Sequence, residues 1–166
     1  MDWQTFLKIS HLVGTVLGVG AVTFMDFFYL KAAKDGKLQP AEIEPIKLLT
    51  PFLRLGLIIL ILSGLGYFLL FRLTGHEERL LNPRFLAKIT IVGVIVVNGL
   101  LLETKKIPPA LGGPISSASW YSAFILGAWR GLELSYLAIM GAYLLVIAGA
   151  FFTLKIISLR LKITIG

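Results

Sequence analysis

Two ionisable residues interrupt the first apolar run of the chain, LKISHLVGTVLGVGAVTFMDFFYLK: His11 near its start and Asp26 near its end. Such groups are costly in hydrocarbon, so a membrane helix that carries them uses them as ligands, proton carriers or partners of one another. On a helix their fifteen-residue interval amounts to about 22 Å along the axis and about 60° around it. A later apolar run repeats the interval with Lys88 and Glu103. If those two helices run in the same direction, His11 and Lys88 form a polar layer at one end, with Tyr67 near it. Asp26 and Glu103 then form a second layer at the other end, and the middle stays apolar.

The second layer gains Arg54 from the start of the second apolar run, and Arg130 and Glu133 from the start of the last. Cations among three carboxylates have three uses. They lock helix ends in a collar of ion pairs, line a mouth for a proton or cation, or snorkel to headgroups. In the first layer His11 suits an axial bond to haem iron, proton carriage or a structural hydrogen bond. Met25, on the stripe of His11, is a candidate cofactor contact, and it or Met140 is a candidate second haem ligand. Gly14 and Gly18 share that stripe at the spacing that lets a helix, or a flat ligand, approach closely. Asn98, deep in the third run, is of the type that hydrogen-bonds across a bundle. His76 falls in a polar loop, so two histidines of one copy cannot meet on one haem. Ligation shared across a homodimer stays open.

Membrane helices must position these groups. The chain has 166 residues, 57% of them hydrophobic and 15% charged, and its mean hydropathy is +0.86. A water-soluble domain needs about a quarter of its residues charged. The expected fold is all-α: a single integral membrane domain, a bundle of four transmembrane helices over about 6–30, 48–71, 85–103 and 131–157. Pro40 and Pro45 limit helix in the first connector, where Asp35-Gly36 marks a turn. TKKIPPALGGPISSASW reads as loop. The segment 116–130, with Trp120, Tyr121 and Trp129, reads as a short interfacial helix, or as the start of a long fourth helix. MDWQTFLK carries an acid where a cleavable signal has basic residues, so the first run reads as a retained span.

The net charge of +7 comes from Lys and Arg at the ends of apolar runs. That is the lipid-headgroup pattern, and no nucleic-acid motif accompanies it, so the bilayer is the partner and nucleic acid is not. With four spans, Lys8, Arg72, Arg79, Arg84, Lys88, Lys155, Arg160 and Lys162 fall on one side. Lys31, Lys34, Lys37, Lys47, Arg54, Lys105, Lys106 and Arg130 fall on the other, eight against eight. That tie gives no orientation, and it admits insertion both ways round. The absence of cysteine removes thiolate chemistry, disulfides and iron–sulfur ligation. No P-loop, dinucleotide fingerprint, zinc-protease or serine-hydrolase motif occurs in a fitting context. No catalytic residue or bare-metal site is identifiable, which leans away from an enzyme.

SHLVGTVLGVG in the first span and RFLAKITIVGVIVV opening the third resemble small bacterial membrane proteins of the copper-resistance-D and membrane protoporphyrinogen-oxidase type. The resemblance implies a four-helix bundle in a bacterial or archaeal plasma membrane, with haem b as cofactor. His11 would match a haem-ligating His, and Lys88 the basic residue facing a propionate or other anion. Where such proteins often carry further intramembrane His, this chain has Asn98 in span three and none in spans two and four. Three functions follow as expectations: a haem- or redox-associated protein using His11 and Lys88; a proton, ion or metal permeation protein with Asp26, Glu103 and Glu133 at an acidic mouth; and a non-catalytic assembly subunit.

Overall fold

The structure, a computed structural model, describes residues 2–33, 40–129 and 131–161. Five α-helices follow in order: α1 Trp3–Ala33, α2 Pro40–Leu73, α3 Pro83–Glu103, α4 Pro109–Ala128 and α5 Tyr136–Leu161. A 3-10 turn, Glu77–Arg79, joins α2 to α3. No strand occurs among the described residues. Four of the helices are long and apolar enough to cross a membrane, over Trp3–Lys31, Glu44–Leu73, Pro83–Glu103 and Tyr136–Ile157. The protein is therefore a membrane-spanning helical bundle. Arg130 and the Asp35-Gly36 turn lie outside the described residues.

The distribution of side chains suits lipid as solvent. Leu137 is 79% and Leu145 74% exposed on α5, while Ser63, Asn98, Ser119 and Ser122 are buried. A surface this apolar is not stable in water. Inside, α1 and α2 form a close antiparallel pair. A Cβ on Gly56 would meet Gly18 N at 2.7 Å and Gly14 O at 2.9 Å, so glycine is required where the two backbones cross. Across the bundle, a Cβ on Gly18 would run into the ring of Trp120, the largest fully buried side chain. Trp120 joins Leu60, Ile91, Ile95 and Tyr143 in the core.

The fourth helix departs from expectation. Residues 109–115, read above as loop, are helical, and α4 is a separate 20-residue helix, about 30 Å long. It is not laid along the surface: it packs on α1, α3 and α5, with Gly112, Ala118, Ser119, Trp120 and Ser122 buried. Residues 116–128 of the expected interfacial segment thus belong to a longer helix that is buried along one face. Pro109 occupies its first turn, where a missing N–H costs nothing. Before it, α3 ends in a tight reversal. Lys106 N donates to Leu101 O at 2.9 Å and Lys105 N to Leu102 O at 3.1 Å, with Lys105 at φ 56°. That pattern closes the last carbonyls and turns the chain back.

α4 runs antiparallel to α3 along its whole length. Near one end Asn98 Nδ2 donates to Gly112 O at 2.8 Å. Near the other, Arg84 Nη1 donates to Trp129 O at 2.6 Å. The start of α5 therefore sits at the His11 end of the bundle, where Thr90 and Tyr136 hydroxyls meet at 3.1 Å. The last helix begins at Tyr136, so residues 131–135, expected as the start of span four, are non-helical, with Gly131 at φ 82°. The first connector differs as well. Helix starts at Pro40, where a proline at the first position needs no N–H partner, and it continues through Pro45 and Pro51.

Candidate functional site: two lateral grooves of opposite charge

The first groove, of about 740 Å³, opens between α2 and α3 and gathers His11, Tyr67, Arg79, Arg84 and Lys88. Its walls are Leu60, Leu65, Phe68, Phe71, Phe85, Ile89 and Val92. α1 and α3 run parallel, so the shared fifteen-residue interval puts His11 and Lys88 at one depth. Tyr67 stands edge-on to His11, ring centroids 6.2 Å apart, and Arg79 lies 5.4 Å over the Phe71 ring, a favourable cation–π position. No Asp or Glu lines this groove among the described residues.

The state of His11 follows from its partner. Ser63 Oγ gives its one proton to Leu60 O at 3.1 Å, so it accepts the Nδ1–H of His11 at 2.9 Å. The imidazole is thereby held as the tautomer with a lone pair on Nε2. A second partner that fixes ring and tautomer is what a ligating His requires. Ser63 carries no sequence signal of this role: it is a lone hydroxyl in an apolar helix, 52 positions from His11.

The second groove, of about 650 Å³, lies at the other end, where α1, α4 and α5 meet. Asp26 is its one carboxylate, and no Lys, Arg or His lines it among the described residues. Ser117 Oγ donates to Asp26 Oδ2 at 2.6 Å. Met25 lines this groove and not the first, so it cannot share a ligand with His11. The residues lie fourteen positions, about 21 Å, apart. Ser117 was hidden from sequence reasoning because its segment read as loop.

The acidic mouth is not assembled. Glu103 pairs with Arg54 at 2.9 Å, both side chains more than half exposed (53% and 57%). Glu133 follows Trp129, whose carbonyl is bonded to Arg84, and precedes Tyr136, bonded to Thr90. It therefore sits at the His11 end, opposite Asp26. The reversal of α4 moves Glu133 from the layer in which the sequence reading placed it. What stands of the collar, among the described residues, is the single Arg54–Glu103 pair. Gly14, Gly18 and Asn98 lie at helix–helix contacts. Among the described residues no three His, Cys, Asp or Glu converge to hold a bare metal ion.

Comparison with protein-family models, curated proteins and solved structures returned no match.

Proposed function

We propose that this membrane protein holds an amphiphilic anion in the α2–α3 groove, with haem b as the member of that class that the resemblance implies. One observation carries the reading: His11, held through Nδ1 by Ser63, shares a groove walled by Phe, Leu and Ile with Arg79, Arg84 and Lys88, and among the described residues no carboxylate lines it. The donor set fits haem. His11 would supply one nitrogen ligand, Ser63 would hold that ring through Nδ1, and Arg84 and Lys88 would neutralise the propionates. Phe68, Phe71 and Phe85 would keep water from the ring faces. The iron, when bound, supplies one-electron chemistry. A bacterial or archaeal plasma membrane is the setting that goes with this reading.

Purified protein, as isolated or after addition of haemin, should show a Soret band with one-to-one stoichiometry. His11→Ala should abolish it, and Lys88→Ala should weaken haemin binding without removing the band. A preparation that stays spectrally blank with haemin overturns the proposal.

A further inference from the structure

Independently of the His11 groove, we infer that the Asp26 groove is a binding site for a hydrophobic organic cation: an amine or quaternary ammonium with an apolar body. Charge complementarity identifies the occupant. The cavity is mostly apolar and large enough for a drug-sized molecule, and among the described residues Asp26 is its single formal charge. A carboxylate in lipid that faces no cation is expensive. Among the described residues Asp26 forms no ion pair, while Ser117 Oγ fixes its orientation at 2.6 Å.

The other polar groups on the wall favour the same sign. Tyr29 and Tyr121 line the groove, and aromatic faces attract cations. Pro114 lies in the interior of α4 and lines the groove. The groove thus offers Asp26, Tyr29 and Tyr121 to a positive head, and Val22, Leu53, Val146 and Leu154 to an apolar body. An anionic amphiphile would meet Asp26 repulsively and belongs in the opposite groove.

The test uses the full-length protein in nanodiscs of zwitterionic lipid and radiolabelled tetraphenylphosphonium as probe. Saturable binding to one site per chain is expected, displaced by dodecyltrimethylammonium and not by dodecanol or dodecyl sulfate. Asp26→Asn should weaken binding by about tenfold or more, the loss of one close charge pair in a low-dielectric site. Ala150→Phe fills the groove from α5 without touching Asp26 and should abolish binding, with helical circular dichroism checking that each variant is folded. Displacement by dodecanol as effective as by the ammonium, or unchanged affinity in a folded Asp26→Asn or Ala150→Phe variant, overturns the proposal. Neither result bears on haemin at His11, which reads out separately at the Soret band.

Discussion

His11 Nδ1 lies 2.9 Å from Ser63 Oγ, and the Ser63 hydroxyl is already committed to the Leu60 carbonyl; α2 therefore sets the tautomer of a histidine on α1. Ser63→Ala removes that control while leaving Nε2 in place. Haemin affinity should fall by about tenfold to a hundredfold, the usual cost of losing a ligand's outer partner. Haemin titration followed at the Soret band measures it. Affinity equal to wild type would show that the hydroxyl does not orient the ring.

Gly18 and Trp120 make a complementary pair across α1 and α4. Gly18→Ala should cost roughly 1–3 kcal/mol by overpacking, because a Cβ there meets the indole ring. Trp120→Leu, which opens space, should recover much of that penalty in the double variant. Thermal unfolding of the four proteins in one detergent closes the cycle. Strictly additive losses would mean that the two side chains do not meet.

Two polar contacts at the Asp26 end should differ in worth. Arg54–Glu103 is exposed, and Glu103→Gln should change stability by less than about 1 kcal/mol. Asn98 is buried and bonded to Gly112 O, and Asn98→Ala should cost about 1–2 kcal/mol. Unfolding midpoints of the two variants rank them, and a larger loss for Glu103→Gln would contradict the ranking.

Orientation follows if α4 crosses the membrane as a fifth span. By sequence position, Lys8, Arg72, Arg79, Arg84, Lys88 and Arg130 then fall on the His11 side. The other ten basic residues, among them Lys31, Lys47, Lys105, Lys106 and Lys155, fall on the Asp26 side. Six against ten is a bias, and the side with more Lys and Arg is cytoplasmic. Reporter fusions should find the C-terminus inside the cell and the N-terminus outside. A C-terminal reporter active on the outer face, or on both faces, would refute the assignment.

The four long apolar helices were legible because their runs exceed the length at which a segment can span lipid. The shared depth of His11 and Lys88 was legible from equal intervals along parallel helices, and that of Tyr67 from its place near the end of the second span. α4 was not. Pro108-Pro109, Gly112-Gly113 and the serines 116, 117 and 119 spell a loop by the rules that hold in water. In this bundle, Pro109 starts a helix, Gly112 admits Leu102, and Ser119 Oγ meets the Tyr143 hydroxyl at 2.6 Å. One misread helix reversed the side of everything after it. That is why Glu133 and the charge balance were misplaced, while His11, Lys88 and Tyr67 in α1 to α3 were not.

The serines and tryptophan of α4 also constrain how the protein is made. A segment this poor in leucine has little reason to partition by itself from the translocation machinery into acyl chains. It becomes comfortable only once Gly18 has received Trp120 and Asp26 has received Ser117. Synthesis presents α1 and α3 first, so the nascent chain already offers those surfaces when α4 emerges. Biogenesis here should be ordered, with the penultimate helix waiting on its elders for permission to insert.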